Sequence, residues 1–490
     1  MMKKLTCSLI ITLISFTVTA QPCKEVVGYY AGWKYHKRNK LVNPGTIIYS
    51  NYTIINYAFF KPLPNGQVVA GDPYTDNLIL LGSQNQQKQY DKNTSLVYKA
   101  HQHGVKVVVS VGGWTWSSHF PAIAADASTR KNFVNSCIGI IHKYGVDGID
   151  IDWEYPGHAP HNGTPNDKEN LTLLISELKA ALVKAGDSEG KTYLLTFATG
   201  PAQKHMAQID WARVEPQLDL IHLMSYNYYG AWDKTTNHNT PLYKPVSGNF
   251  RYNVDHSVTL LTDTFHIPSS KITLGLAFYG RTAKFEDEVA LHALSTGIDA
   301  TSFPDEKGTP SFYNIKLKQN LFDKEFDDVA KVPYLTGKDG SKAFVSFDDE
   351  ISIGQKTAFA VQKNMAGVVI WDISGDYIET KPGSGKIAGT PLCAAILANT
   401  CQSAIATSRL ADFGLKAYPN PILDEMDIVW TESDFAPSIE VLSASGQKVF
   451  SGNSIKGNQL KINTSSWSSG IYMVSISTPG EQASVKVVKL

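Results

Sequence analysis

The 490-residue chain has room for about three domains of ordinary size, although a single α/β barrel absorbs about 250 residues or more. Its composition, 43% hydrophobic and 18% charged with 37 Gly and 23 Pro dispersed along the chain, excludes disordered, collagenous and coiled-coil proteins. Forty-five basic residues balance 45 acidic ones, so no net field recruits nucleic acid or an anionic membrane, and a neutral partner is expected; the chain is separately expected to be a monomer.

Lys3 and Lys4 precede an apolar run from Leu5 to Val18 that ends in Val18-Thr19-Ala20, the pattern of a secretory signal peptide over residues 1–20. The run is too short, and too rich in Thr and Ser, to span a bilayer, and no other segment suits stable membrane insertion. Pro22 directly before Cys23 argues against a lipid anchor. Export implies an oxidising compartment, in which Cys23, Cys137, Cys393 and Cys401 allow three pairings. The short spacing predicts a Cys393–Cys401 disulfide, and free buried thiols are the plain reading of Cys23 and Cys137.

Between Val26 and Ile373, β-branched runs alternate with helical apolar spacing. The runs are 26–30, 54–59, 105–111, 148–153, 193–199, 220–226, 272–278 and 367–371, which predicts a (β/α)8 TIM barrel. An open doubly wound sheet would carry a Gly-rich phosphate loop after its first strand, where this chain has Ala31-Gly32-Trp33-Lys34. The near-match Ala185-Gly186-Asp187-Ser188-Glu189-Gly190-Lys191-Thr192 follows a helix and precedes a strand, the reverse of a phosphate loop, and reads as an αβ turn. The long connection before the eighth run predicts an inserted α+β subdomain over 281–344 within a catalytic domain of 21–402. A linker over 403–414 then leads to short alternating strands and turns, a small β-sandwich over 415–490.

In Asp147-Gly148-Ile149-Asp150-Ile151-Asp152-Trp153-Glu154, strand alternation puts Asp150, Asp152 and Glu154 on one face. In a barrel that face points inward, where aliphatic layers normally sit, and nothing structural requires carboxyls there. Three such groups cannot all ionise cheaply, so their pKa values are driven apart and a proton is shared. Glu154, at the carboxyl end, is the candidate proton donor to a leaving oxygen. Two carboxyls on one strand cannot flank a sugar from opposite sides, so the attacking atom is expected from the substrate itself, as an acetamido group would supply. Tyr155, Trp114, Trp232 and Arg281 are assigned to sugar binding, with core packing as the plain alternative for each. His222 reads as a core histidine, and His158-Ala159-Pro160-His161 has the wrong setting for a metal pair, so neither a metal nor a cofactor is expected.

From about Val26 to Ser374 the chain resembles the family 18 glycoside hydrolases that act as chitinases. The likeness rests on the acidic signature Asp147, Asp150, Asp152 and Glu154, and on the third-strand motif Ser110-Val111-Gly112-Gly113-Trp114. Tyr29, Met224-Ser225-Tyr226, Phe278-Tyr279-Gly280-Arg281 and Trp371 match further motifs in order. The resemblance implies retaining hydrolysis of β-1,4 bonds between N-acetylglucosamine units. Glu154 would protonate the glycosidic oxygen while the 2-acetamido carbonyl attacks the anomeric carbon, forming an oxazolinium ion. Asp152 would hold the acetamido N–H with Asp150 sharing its proton, the Tyr226 hydroxyl would donate to the acetamido oxygen, and Trp371 would floor the subsite. Tyr29, Met224, Asn227 and Tyr279 join the substrate-binding set. The chain departs from the family at Asn227, where many chitinases carry Asp; an amide removes a negative charge that would raise the acid's pKa.

Rival readings are an endo-β-N-acetylglucosaminidase of N-glycans and a non-catalytic chitin-binding lectin. The insertion favours a groove for a linear polymer, and the intact Glu154 argues against the lectin. The last module resembles the C-terminal sorting domain of type IX secretion, through Tyr418-Pro419-Asn420-Pro421, Ser469-Gly470-Ile471-Tyr472 and a basic tail at 486–489. That implies a partner in the secretion machinery and an extracellular or cell-surface location. A carbohydrate-binding sandwich using Trp430 or Trp467 is its alternative.

Overall fold

The structure is a computed structural model that describes residues 24–400, 415–431, 437–443, 448–452, 455, 457–478 and 481–489. The expected signal peptide, the 403–414 linker, Cys23 and Cys401 lie outside the described residues. Eight parallel strands follow the expected runs: β1 (Glu25–Ala31), β2 (Ile54–Pro62), β3 (Lys106–Gly112), β4 (Gly148–Asp152), β5 (Leu194–Thr199), β6 (Leu220–Leu223), β7 (Ile272–Ala277) and β8 (Gly367–Trp371). They are hydrogen-bonded in chain order, and β1 pairs with both β2 and β8, which closes a (β/α)8 barrel. Among the described residues no helix is long and apolar enough to cross a membrane.

Strand ends differ from expectation where partners run out. β2 continues to Pro62 because the antiparallel strand Val68–Ala70 pairs with Phe60–Pro62. β4 stops at Asp152, the partner of Gly112 at the end of β3, so Trp153 and Glu154 leave the sheet. β6 stops at Leu223, the last residue paired with β7; the Met224 N–H still donates to Thr199 O of β5 at 3.0 Å, and those of Ser225 and Tyr226 turn back onto the carbonyls of Leu223 and Met224 at 2.8 Å each.

The chain divides into two compact units. The first, residues 1–198, 208–219 and 382–386, carries β1 to β4 and most of β5. Its helix Ala127–Tyr144 starts where the Asp126 side chain accepts the N–H groups of Ser128 and Thr129, and stops at Gly145 with φ +69°. Helix Asp167–Glu189 ends at Gly190 with φ +65°, so residues 185–189 of the phosphate-loop lookalike complete the helix instead of following it, and only 190–192 lie in the expected αβ turn before the strand. Ile149, Ile151 and Trp153 are fully buried, with Trp153 stacked on Phe120 at 5.2 Å.

The second unit, residues 199–207, 220–381 and 387–490, carries β6 to β8. Its insertion is an antiparallel sheet in the order Arg281–Lys284, Ala343–Ser346, Val332–Gly337, Phe322–Asp327, accompanied by helix Phe312–Lys318. The α+β character is as expected, and the sheet runs two residues past 344.

The C-terminal strands form two sheets, one of Lys416–Tyr418, Glu425–Val429 and Gln459–Asn463, the other of Lys448–Gly452, Ser438–Ser443, Gly470–Thr478 and Glu481–Lys489. Alternate residues such as Ile428, Val441, Ile462 and Val474 build a separate apolar core. Trp430 is buried in that core and Trp467 packs against it, 4.8 Å from the Tyr472 ring. Trp430 therefore offers no open face to a sugar, while Trp467 keeps part of its ring exposed.

Candidate active site

Parallel register puts Ser110 of β3 and Thr196 of β5 on either side of Asp150 in β4. Each donates its hydroxyl to the Asp150 carboxylate at 2.6 Å, Ser110 to Oδ2 and Thr196 to Oδ1, and the Tyr29 hydroxyl adds a third bond to Oδ2 at 2.7 Å. The fully buried Asp150 is thus ringed by O–H donors from three other strands.

Asp152, next on the same face, is 3% exposed, and its Oδ1 has no hydrogen-bond partner. Burial first, then the charges of Glu154 and Asp150, hold its carboxyl well above the usual carboxylate range. Burial also pushes Glu154 up to about 7, against hydrogen bonds from the Tyr155 side chain and the Trp114 main chain that pull it down. With Asp152 held well above the carboxylate range and Glu154 at about 7, a protonated carboxyl is available in neutral solution, as a general acid requires.

Glu154 was expected to continue the strand. It stands instead in the bend after it, because β3 offers no ladder past Gly112. Gly112 and Gly113 have φ of +115° and +76°; a Cβ on the first would meet the Asp152 carbonyl oxygen at 2.3 Å, and one on the second the Phe59 ring at 2.5 Å. Gly113 N–H donates to the Asp152 carbonyl at 2.8 Å, which ties the two strand ends together. Ser117 completes the bend: its hydroxyl donates to Gly113 O at 2.9 Å and accepts the Glu154 N–H at 2.8 Å.

Trp114 is 54% exposed, with Tyr155, His158 and His161 around its ring. The two histidine rings meet edge-on at 5.2 Å, and among the described residues no group of three or more His, Cys, Asp or Glu is arranged to hold a metal ion. Asp147, the first acid of the signature, stands at the amino end of β4, away from the Glu154 end; its Oδ2 accepts the Val107 N–H and binds His101 Nε2, both at 2.7 Å. Its place is structural. Trp33, 51% exposed and stacked on Phe59 at 5.8 Å, is a further open aromatic face in this unit.

In the second unit, Met224 and Tyr226 are buried and Tyr226 lies edge-on to Tyr279 at 6.1 Å. Asn227 adopts φ +60°, and its Oδ1 accepts from the Tyr279 hydroxyl at 2.7 Å and from Arg281 Nε and Nη2 at 3.0 and 2.7 Å. The Arg281 guanidinium sits 4.9 Å from the Trp232 ring, which is 60% exposed. That ring folds over Gly230, where a Cβ would approach it to 2.4 Å. Trp371, the last residue of β8, is partly exposed. His222 is buried with Nδ1 2.7 Å from Thr273 Oγ1, a satisfied core histidine. Cys137 is a free buried thiol; Cys393 is buried as well, and its expected partner Cys401 falls outside the described residues.

Sequence reasoning passed over Thr196, Ser117 and Trp33. Thr196 had a signal, a hydroxyl in the middle of an apolar run one strand from Asp150. Ser117 had none, since its role depends on where a bend returns.

A closed parallel barrel with buried carboxyls at the carboxyl end of a strand is the setting of an acid-catalysed barrel enzyme, glycosidases among them. Residues 25–376 match the family described as glycosyl hydrolases family 18, and residues 416–490 match the secretion system C-terminal sorting domain. The chain belongs to family 18 of the glycoside hydrolases. It is similar to Chitinase A1 of Niallia circulans, 33% identical over 410 residues that take in 74% of this chain and 58% of that protein. Among solved structures it is similar to chitinase ChiA74 from Bacillus thuringiensis, with a TM-score of 0.67 and 26% identity, covering 95% of this chain and 84% of that one. A family 18 N-acetylglucosaminidase from Paenibacillus barengoltzii gives a TM-score of 0.61 and 29% identity, covering 77% and 99%.

Proposed function

We propose that the enzyme is a secreted chitinase that hydrolyses β-1,4 bonds between N-acetylglucosamine units with retention, using the substrate's acetamido group as nucleophile. The observation that carries this reading is the Asp152–Glu154 pair, both acids raised by burial and carried on one strand and its bend. Glu154 gives its proton to the leaving oxygen. The acetamido carbonyl closes on the anomeric carbon, and water later opens the oxazolinium ion while Glu154 takes the proton back.

Asp152 holds the acetamido nitrogen and, with its proton shared to Asp150, offsets the positive charge of the intermediate, and Tyr226 donates to the acetamido oxygen. Trp114, Tyr155, Trp232 and Trp371 present ring faces to sugars. The names of the relatives support the substrate class. The sorting domain and the leader expected over 1–20 support export to the cell surface or beyond.

Mass spectrometry and NMR of the products from chitin hexamer test the proposal. β-Anomeric oligomers from the hexamer, with cello-oligosaccharides inert, are expected. A covalent glycosyl adduct on Asp152, or cleavage of glucose oligomers, would overturn it. Release of monomer alone would assign exo action in place of a chitinase that yields oligomers.

A further inference from the structure

Glu154 leaves the sheet two residues after its last hydrogen-bonded neighbour, so its position depends on what grips its peptide groups. The N–H side is held by Ser117. The carbonyl side is held by His161, whose Nδ1 lies 2.6 Å from Glu154 O. A carbonyl oxygen can only accept, so Nδ1 carries the hydrogen and donates. The same imidazole packs against Trp114 with ring centroids 4.4 Å apart, a contact distance for aromatic pairs. One side chain therefore touches both the main chain of the acid and an exposed indole.

The loop that delivers His161 is closely determined. The buried Asp167 carboxylate accepts the N–H groups of Gly157 and Thr164 at 2.8 and 3.0 Å, closing the base of the loop. Within it the N–H groups of His161 and Gly163 both donate to His158 O, at 2.9 and 3.0 Å. A Cβ at Gly163 would strike His158 N at 2.2 Å, so the turn requires glycine.

We infer that His161 is a positioning residue for the reaction, its Nδ1–H fixing the Glu154 peptide and its ring bracing Trp114. This rests on Glu154 being the acid, as proposed above. The two halves of the role separate by substitution. His161→Phe keeps a ring against Trp114 and loses the donor; His161→Asn places an amide N–H near the Nδ1 position and loses the ring.

Displacing reacting groups by about an ångström costs on the order of 100-fold, so loss of one anchor is expected to lower kcat about tenfold in His161→Phe with KM little changed. His161→Asn is expected to keep kcat within about twofold and to raise KM about threefold or more, the size of a lost aromatic contact. Kinetics on chitin tetramer are read beside Glu154→Gln, with melting temperatures of all variants. Wild-type kcat in His161→Phe, or equal loss of kcat in His161→Phe and His161→Asn, overturns the positioning role while leaving the acid assignment intact. An active Glu154→Gln overturns the acid assignment instead. If His161→Phe fails to fold, Gly163→Ala, which shifts the loop with the imidazole intact, must reproduce the fall in kcat or the inference is wrong.

Discussion

Arg281 donates two hydrogen bonds, 3.0 and 2.7 Å long, to the single amide oxygen of Asn227. With the Tyr279 hydroxyl on the same atom, the acceptor side of the amide is fully used and its N–H groups are what Asn227 presents elsewhere. The residue that departs from the family pattern is thus an anchor for Arg281 and Tyr279.

Asn227→Leu keeps the branched shape, at a cost in size and in backbone strain at φ +60°, and leaves Arg281 and Tyr279 without their shared acceptor. Oligosaccharide affinity by calorimetry should fall about three- to tenfold, the worth of one or two hydrogen bonds. Asn227→Asp should retain the anchor and raise the melting temperature only slightly, because the new ion pair is solvent-exposed. Equal affinity in wild type and Asn227→Leu would remove Asn227 from the binding set.

Glu154→Gln keeps shape and hydrogen bonding without a transferable proton. Turnover of chitin oligomers should drop by about 100-fold or more, while binding of the same oligomers persists. Turnover near the wild-type level would end the assignment of Glu154 as acid.

The raised Glu154 also sets pH dependence. Its carboxyl titrates at 4.5 when unperturbed and at about 7 in the folded protein, so activity that needs the protonated form should fall as pH passes about 7. The folded state holds this proton more tightly than the unfolded state, so acid costs no stability through this group. Stability instead declines as pH rises from 4.5 through about 7 and then levels. Glu154→Gln, which cannot ionise, should therefore melt higher than wild type near pH 8 and together with it near pH 4. A variant less stable than wild type near pH 8 would contradict the burial argument.

A chain ending at Cys401 retains all eight barrel strands and loses only the strands with their own core. It should fold and cleave soluble chitin oligomers at the full-length rate, and enzyme secreted by the native host should lack the module. Loss of adsorption to crystalline chitin on truncation, with the C-terminus retained in secreted enzyme, would restore the carbohydrate-binding reading.

The sequence alone determined the barrel, the insertion and the acids, because strand alternation is a local property with a period of two residues. A row of acids on the inward face of a β-branched run is visible without knowing any neighbour. The two-sheet module was legible for the same reason.

What surrounds the acids was decided by tertiary structure. The donors to Asp150 come from positions 40, 46 and 121 residues away in the chain, and only parallel register brings them to one layer. Glu154 leaves its strand because β3 ends in two glycines at positive φ, a limit set by the neighbouring strand. His158 and His161 looked like a failed metal motif; folding turned them onto Trp114 and, for His161, onto the main chain of the acid. Burial raised the two carboxyls, and burial depends on the whole chain packing around them.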